Sequence, residues 1–288
     1  MPRPTIENYQ GEGSVGVGLE NQEWENRKNA LIYDVTQPYV FENERFSKII
    51  IQEIERLGEP PCVVELACGT GLLGTKVIEA FPGLTYHGYD LSVEMVKIFE
   101  AKLSSSVRAK SSVTFYAPVD LRREASLAGI RYQNANILLI SQFTQYLPTM
   151  TSSQAGISRR DFLHICADSL VRPGKMFVIE DVAGETEAEH EAFSRAWDEY
   201  VRIRYKAYEQ QLKAALDPIA PDFAGAISTM VANPSLIGLV RKKRRAARGE
   251  EVVPLSEWKR IFENLELSYR MERHDALRNF YLFMFDVL

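Results

Sequence analysis

The hydrophobic positions of this chain change period several times, and each change predicts a new secondary-structure element. Compact apolar runs of strand length lie at residues 62–66, 84–89, 113–118, 136–141 and 175–182. Between them, apolar residues recur at spacings of three and four, which predicts helices at 42–57, 72–80, 92–103 and 158–171. Strands that alternate with helices are typical of parallel βαβ units with right-handed crossovers.

The carboxyl terminus breaks this alternation. Residues 256–264 have the pattern of one more helix. The segments 267–273 and 280–288 then predict two strands with no helix between them. Two such strands predict an antiparallel hairpin at the end of an otherwise parallel sheet.

Two segments lie outside the alternating pattern. Residues 1–20 are polar and glycine-rich, and residues 24–39 have a partly helical pattern up to Pro38. The segment 183–254 interrupts the core and begins with a long amphipathic helix pattern over 185–216. Because it leaves the carboxyl end of a strand, where open α/β sheets bind ligands, we expect it to be a lid. The predicted division is an amino-terminal lid segment 1–40, a core of 41–182 and 255–288, and a helical insertion 183–254 that covers the substrate.

Composition narrows the class of protein. Hydrophobic residues make up 45% of the 288 residues, which is enough for a sizeable core. The formal net charge of −5 argues against a protein that coats nucleic acid. The three cysteines have neither metal spacing nor a disulfide framework, so a reducing compartment is expected. With no apolar signal core and no run long enough to span a bilayer, we predict a cytoplasmic protein.

The strongest chemical signal follows the first predicted strand. Gly69 and Gly71 let the backbone approach a ligand closely, and Asp90, after the second strand, can accept hydrogen bonds from two ribose hydroxyls. Two cofactors compete for this site, since Gly74 completes the G-x-G-x-x-G pattern of dinucleotide folds. Glu65, four residues before the first glycine, disfavours a pyrophosphate and suits a ligand with an ammonium and a sulfonium charge.

The segment 65–71 (ELACGTG) closely resembles the first motif of class I S-adenosylmethionine-dependent methyltransferases, and 89–92 (YDLS) resembles their ribose-binding turn. The resemblance covers roughly 40–182 and 255–288. It implies an α/β fold with a doubly wound, mostly parallel seven-stranded sheet and a C-terminal antiparallel hairpin, to which the helical insertion is added. Relatives that methylate amines of nucleic acid or protein carry an Asn-or-Asp-Pro-Pro-aromatic motif after the fourth strand. That motif is missing here, which favours the small-molecule type.

The resemblance also implies which residues hold S-adenosyl-L-methionine. The glycine loop would contact the methionine part, Glu65 the ammonium group and Asp90 the ribose. Asp120 would accept a hydrogen bond from the adenine amino group, or it is only a helix cap. Tyr33 would close over the methionine end, or it is ordinary packing. The predicted cofactor contacts are Tyr33, Glu65, Ala67, Cys68, Gly69, Gly71, Asp90, Leu91, Met95, Asp120, Leu121, Gln142 and Phe143.

No single residue of the sequence has the pattern of a catalytic group. Methyl transfer is an in-line displacement at an activated methyl, so it mainly needs proximity and alignment. A base is required only if the acceptor loses its proton. Glu180 and Asp181 end the fifth predicted strand, so one of them is expected to face the site. Glu180, His190 and Tyr146 are the candidates for a base, and no metal is expected because the histidines and cysteines lack zinc spacing.

We therefore predict an S-adenosylmethionine-dependent methyltransferase whose acceptor is a small molecule, either a secondary metabolite or a group tethered to a carrier protein. A nucleotide-dependent oxidoreductase and a catalytically inactive cofactor-binding partner protein stay open as alternatives. No nucleic acid or membrane partner is expected, whereas a carrier protein or a homodimer stays open. The basic run 241–248 is either a solvated helix face or a grip for an anionic acceptor.

Overall fold

The structure is a computed structural model. It describes residues 26–40, 44–58, 61–128, 130, 134–148, 156–233, 235–248, 250–265, 267–274 and 279–287, with the backbone alone for 244–248. Residues 1–25, which belong to the predicted amino-terminal lid segment, lie outside the described residues. None of the described helices combines the length and the apolar character that crossing a membrane requires.

In the described part of the chain, seven strands form one sheet in the order β3-β2-β1-β4-β5-β7-β6. The strands are β1 (Cys62–Leu66), β2 (Thr85–Tyr89), β3 (Ser112–Tyr116), β4 (Ile137–Ser141), β5 (Gly174–Asp181), β6 (Ser268–Arg273) and β7 (Phe280–Val287). The first five are parallel, and β7 pairs antiparallel with both β5 and β6. The strand order reverses between β1 and β4, and open α/β sheets bind their ligands at such a point.

The helices lie on both faces of this sheet. The core helices are α1 (Arg27–Val40), α2 (Glu44–Glu55), α3 (Gly74–Ala80), α4 (Val93–Lys102), α5 (Ser105–Lys110), α6 (Glu124–Leu127), α7 (Arg159–Asp168) and α12 (Leu255–Glu263). The insertion contributes α8 (Glu187–Ala207), α9 (Glu209–Leu216), α10 (Pro221–Ala232) and α11 (Ser235–Arg248). A short 3-10 helix over Thr144–Tyr146 follows β4.

Two hydrophobic cores form because the side chains of a strand alternate between the faces of the sheet. On β5, Phe177 and Ile179 belong to the core that also contains α1 to α4 and the insertion helices. Met176 and Val178 belong to the opposite core, which α7 and α12 cover. The insertion therefore packs on one face of the sheet. Of the last residues of β5, those that share a face with Phe177 and Ile179 point toward the insertion.

The predicted fold class and the carboxyl-terminal hairpin are confirmed. Local signals explain several helix starts: Ser92 caps α4 by accepting from the Met95 N–H at 3.1 Å. Ser158 caps α7 by accepting from the Asp161 N–H at 3.1 Å.

Two helix predictions are corrected. The helix α1 does not end at Pro38 but runs to Val40. Pro38 lies in the last turn, so only two helical residues follow the lost hydrogen bond and the ring clash that a proline introduces. The single long helix predicted over 185–216 is two helices that meet at Tyr208. At this break the Tyr208 ring packs on Tyr39 of α1 at a centroid distance of 5.0 Å, so tertiary packing overrides the continuous amphipathic pattern.

Candidate active site

A cavity of about 330 Å³ opens at the carboxyl ends of the parallel strands, beside the reversal of strand order. Its strand end is lined by residues that follow β1 to β5, and its helical end by residues of α1 and the insertion. The strand-end residues are Ala67, Gly69, Asp90, Leu91, Met95, Val119, Asp120, Leu121, Arg122, Ser141, Gln142, Phe143, Gln145, Tyr146 and Asp181. The helical-end residues are Asn29, Ile32, Tyr33, Thr36, Gln37, Val40, Trp197, Val201, Tyr205, Phe223, Met230, Ile237, Val240 and Arg241, and Glu250 lines the cavity beside them.

The glycine loop after β1 is a turn in which left-handed backbone recurs. Ala67, Gly69 and Gly71 have φ angles of 54°, 53° and 77°. A Cβ added to Gly71 would lie 2.2 Å from the Phe99 ring of α4, so this glycine lets the loop rest on that ring. A Cβ added to Gly69 would meet nothing within 4 Å, and Gly69 lines the cavity. The two glycines thus differ in role: Gly71 allows the loop to pack on Phe99, and Gly69 leaves open space on the cavity side of the loop.

Asp90 holds this loop against the end of β2. One of its carboxylate oxygens accepts the Gly69 N–H at 2.8 Å, and the other accepts the Ser92 N–H at 2.8 Å. The side chain is largely buried, yet it lines the cavity. A carboxylate has about four acceptor sites, so two backbone bonds are compatible with further hydroxyl donors from a ligand.

Glu65 and Cys68, predicted as cofactor contacts, are buried beneath the loop and do not line the cavity. The Tyr86 hydroxyl donates a hydrogen bond to the Glu65 carboxyl group. Burial raises the pKa of Glu65 to about 8, so the protonated form predominates at neutral pH. A Cβ at Gly74 would come within 2.4 Å of the Glu65 carboxyl oxygen, so the third glycine of the pattern is explained by close packing of α3 on the strands.

Asp120 lines the cavity after β3 and is paired with Arg122. The Arg122 Nε and backbone N–H donate to one carboxylate oxygen at 2.8 and 3.1 Å, and the second guanidinium bond reaches the other oxygen at 3.1 Å. Burial alone would raise the pKa of Asp120, but the hydrogen bonds and charge of Arg122 lower it below the usual value. Asp120 therefore stays ionised beside the apolar side chains of Leu91, Met95 and Leu121.

Glu180, a candidate catalytic residue, is buried and binds the backbone of the segment that follows β4. Its Oε1 accepts hydrogen bonds from the Phe143 N–H, the Thr144 N–H and the Thr144 hydroxyl at 2.8, 2.6 and 2.9 Å. Burial raises its pKa to about 7, against the lowering effect of these bonds and of Arg159. Glu180 does not line the cavity, whereas Gln142, at a φ of 54°, and Phe143 do.

The other two catalytic candidates differ in position. Tyr146 lines the cavity, and its hydroxyl donates to a Glu250 carboxylate oxygen at 3.3 Å. His190 is exposed on the first turn of α8 and does not line the cavity. Asp181, which follows Glu180 on β5, does line it and is 8% exposed. Because side chains alternate along β5, the two neighbouring acids point to opposite faces of the sheet. The sequence alone could not say which of them faces the cavity, since that depends on which face the insertion covers.

The helical end contains Gln37, which sequence reasoning missed, and Arg241, whose role it left open. Gln37 of α1 lines the cavity, and its buried side-chain oxygen has no hydrogen-bond partner among the described residues. Arg241, the first residue of the basic run, also lines the cavity rather than facing solvent, and its Nε donates to Asp198 of α8 at 3.0 Å. The side chains of residues 244–248, which complete the run, lie outside the described residues.

A comparison of the sequence with protein-family models and with curated proteins finds no match. Solved structures do resemble the fold. An O-methyltransferase family protein from Burkholderia thailandensis has a TM-score of 0.54 and 12% identity, over 93% of this chain and 66% of that protein. A putative O-methyltransferase from Nostoc punctiforme has a TM-score of 0.46 and 13% identity, over 85% of this chain and 56% of that protein. Magnesium protoporphyrin IX methyltransferase from Synechocystis, solved with bound S-adenosylhomocysteine, has a TM-score of 0.48 and 12% identity, over 96% of this chain and 88% of that protein.

At such low sequence identities, the comparisons show the fold alone. The assignment of the fold rests on the Burkholderia protein, whose TM-score exceeds 0.5. The chain spans about two thirds of the length of that protein and about half of the Nostoc one. The sheet order and the hairpin agree with what the glycine-loop motif implied. The chain has the fold of the class I S-adenosylmethionine-dependent methyltransferases.

Proposed function

We propose that this protein transfers a methyl group from S-adenosyl-L-methionine to a small molecule held in the helical end of the cavity. One observation carries the proposal. The same cavity is lined by the glycine loop and Asp90 at one end and by an apolar helical pocket at the other. A cofactor at the strand end and an acceptor at the helical end would therefore share one space, as direct methyl transfer requires.

The residues of the strand end fit the proposed cofactor. Asp90 offers a charged acceptor for the ribose hydroxyls, and the open side of Gly69 leaves space for a ligand against the backbone. Leu91, Met95 and Leu121 offer apolar contacts for an adenine ring, and Asp120 offers an acceptor for its amino group. When bound, the cofactor supplies an activated sulfonium methyl group. The ammonium group has no Glu65 carboxylate on the cavity wall, so we assign its contacts to the backbone of the loop.

The helical end indicates the chemistry of the acceptor. Its walls are mostly apolar, with Trp197, Tyr205 and Phe223 among them, which suits a largely apolar or aromatic molecule. Gln37 lines the helical end and Asp181 lines the strand end of the same cavity, and both side chains carry hydrogen-bond acceptors. A hydroxyl or amine group of the acceptor molecule would donate a hydrogen bond to such a side chain, whereas the Asp181 carboxylate would repel a carboxylate or phosphate placed beside it.

Asp181 is the group to which we assign acceptor orientation. It is the last residue of β5, on the same face as Phe177 and Ile179, which is the face that the insertion covers. There it would hold the hydrogen of the acceptor hydroxyl or amine and take the proton as the bond to the methyl forms. Alignment of two bound reactants can lower a barrier by roughly 7–11 kcal/mol, and a positioned base adds about 10²–10⁴-fold.

The test is transfer of an isotope-labelled methyl group from S-adenosylmethionine to a mixed panel of phenols, aliphatic alcohols, amines and carboxylic acids. We expect products among the phenols, alcohols or amines. Asp181→Asn should lower their formation by at least about tenfold and change S-adenosylhomocysteine affinity by less than about twofold. Asp222→Asn, an exposed aspartate of α10, is the matched control and should change neither. Tight cofactor binding without transfer to any class would favour the inactive cofactor-binding protein instead.

A further inference from the structure

Lys102, at the end of α4, touches the glycine loop and the helix that covers the cavity. Its Nζ donates to the Thr70 carbonyl oxygen of the loop at 2.9 Å and also to the Asp34 carboxylate of α1. Thr70 is almost fully buried, and the Lys102 and Asp34 side chains are 29% and 16% exposed. One ammonium group thus joins the loop that we assign to the cofactor to a second element that lines the same cavity.

The helix α1 is positioned by contacts on both of its sides. Toward α4, Ala30 packs with Met95 and Ile98 in a small buried cluster. Toward the insertion, the Tyr39 carbonyl accepts a hydrogen bond from the Arg204 Nε at 2.7 Å. Along the same length α1 lines the cavity, from Asn29 to Val40. A small change in how α1 rests on α4 would therefore move a wall of the cavity.

The glycine loop rests on the same helix α4. The Phe99 ring supports the loop at Gly71, and Lys102 lies three residues further along the same helix. Residues three apart on a helix are neighbours on its surface, so Phe99 and Lys102 form one seat for the loop. The apolar part of the seat fixes the loop to α4, and the charged part also binds α1.

We propose that Lys102 is a positioning residue that couples cofactor binding at the glycine loop to the docking of α1 over the cavity. The proposal rests on the assignment of the loop to S-adenosylmethionine. When a ligand orders the loop, the Thr70 carbonyl holds the Lys102 ammonium in place, and Asp34 is drawn to it with α1. By the same linkage, a docked α1 favours the ligand-binding position of the loop.

An ion pair between two side chains on the surface of α4 would not couple the glycine loop to α1, and the chain contains one such pair for comparison. Lys97 pairs with Glu94 at 2.6 Å on the same helix, and its side chain is 53% exposed. No hydrogen bond of Lys97 to the loop or to α1 occurs among the described residues. Glu94 is also paired with Arg27 of α1 at 3.6 Å, and Lys97→Met leaves both of these residues in place. The variant therefore removes a lysine from the same helix without removing a residue that links α4 to another element.

Calorimetry with S-adenosylhomocysteine tests the coupling in the full chain. We expect Lys102→Met to weaken binding by about tenfold, equal to about 1.4 kcal/mol. Asp34→Asn should weaken it similarly, and the double variant should be no worse than Lys102→Met alone, since both remove one link. Lys102→Arg should recover part of the affinity, and Lys97→Met should bind as the wild type does.

Hydrogen exchange supplies the readout that a merely structural role would not change. In the wild type, the ligand should slow amide exchange both in residues 69–75 and in 27–40. In Lys102→Met, slowing should persist in the loop and be lost in α1. If Lys102→Met binds as tightly as the wild type, or if α1 keeps its ligand-induced slowing, the coupling is wrong. If the wild type does not bind S-adenosylhomocysteine, the proposed function fails, and this inference fails with it.

Discussion

The two ends of the cavity are built in different ways. At the strand end, backbone groups do most of the positioning: Gly69 has a left-handed φ, and its N–H is held by Asp90 at 2.8 Å. At the helical end, the walls are side chains such as Trp197 and Tyr205, presented by helices of the insertion. A backbone-built site tolerates few residue types at each position, whereas a side-chain-built site can change its lining while the helices stay. In the proposed function, the strand end would therefore fix the kind of cofactor, and the helical end would set the acceptor.

The largest expected effect comes from filling the space above the loop. Gly69→Val places an isopropyl group where a Cβ meets nothing within 4 Å, that is, in the cavity. We expect no detectable binding of S-adenosylhomocysteine by calorimetry. The matched control is Gly58→Val, because Gly58 also has a positive φ and open space around its Cβ but does not line the cavity. Equal binding by both variants would place the cofactor elsewhere. Gly71→Val is less informative, because it would also collide with Phe99.

The second effect concerns the ribose. Asp90→Ala removes a charged hydrogen-bond acceptor, which is worth about 1.5–3 kcal/mol, or roughly 10- to 150-fold in affinity. The wild type should also bind the 2′-deoxy analogue of S-adenosylhomocysteine more weakly, and Asp90→Ala should not discriminate between the two ligands. Asp168→Ala, an exposed aspartate of α7, serves as the control and should bind both ligands as the wild type does. Discrimination by Asp90→Ala would mean that another residue holds the ribose.

The third effect is a pH dependence of stability. Burial raises the pKa of Glu65 from 4.5 to about 8. Between these values the folded state keeps a proton that the unfolded state releases, so the free energy of unfolding falls as pH rises through this window. Each pKa unit corresponds to about 1.4 kcal/mol. Glu65→Gln cannot ionise, so urea denaturation at about pH 5 and pH 9 should show a smaller loss than in the wild type. Glu79→Gln, exposed on α3, should leave that loss unchanged, and an equal loss in Glu65→Gln would show that Glu65 is ionised in the folded protein.

The smallest effect is expected at Arg241. Its guanidinium is already paired with Asp198, at 14% and 20% side-chain exposure, so little of its charge is available to an anionic acceptor. Arg241→Met should lower the free energy of unfolding by about 1 kcal/mol and leave S-adenosylhomocysteine affinity unchanged. A several-fold rise in the KM of the acceptor, with kcat unaltered, would instead assign Arg241 to substrate binding.

The same comparison shows why the sequence predicted one end of the cavity better than the other. The glycine loop, Asp90 and the β1 boundaries could be predicted because strand, turn and cap each follow from local residue types. Glu65 was expected at the cofactor and lies under the loop, because a motif names a residue but not the side to which it points. Gln37 was not selected, and the sequence left open whether Glu180 or Asp181 faces the site, because these positions depend on how α1 and the insertion pack on the sheet. That packing joins residues distant in sequence, as Arg204 and Tyr39 do, and local patterns do not contain it.

Titration of the full chain with S-adenosylhomocysteine and, separately, with NAD tests the central claim most directly. The sheet order with its antiparallel hairpin, together with the proposed roles of the glycine loop and Asp90, predicts one-to-one binding of S-adenosylhomocysteine in the micromolar range. It also predicts no comparable heat from NAD. Tight binding of NAD with no binding of S-adenosylhomocysteine would contradict the account and restore the oxidoreductase alternative.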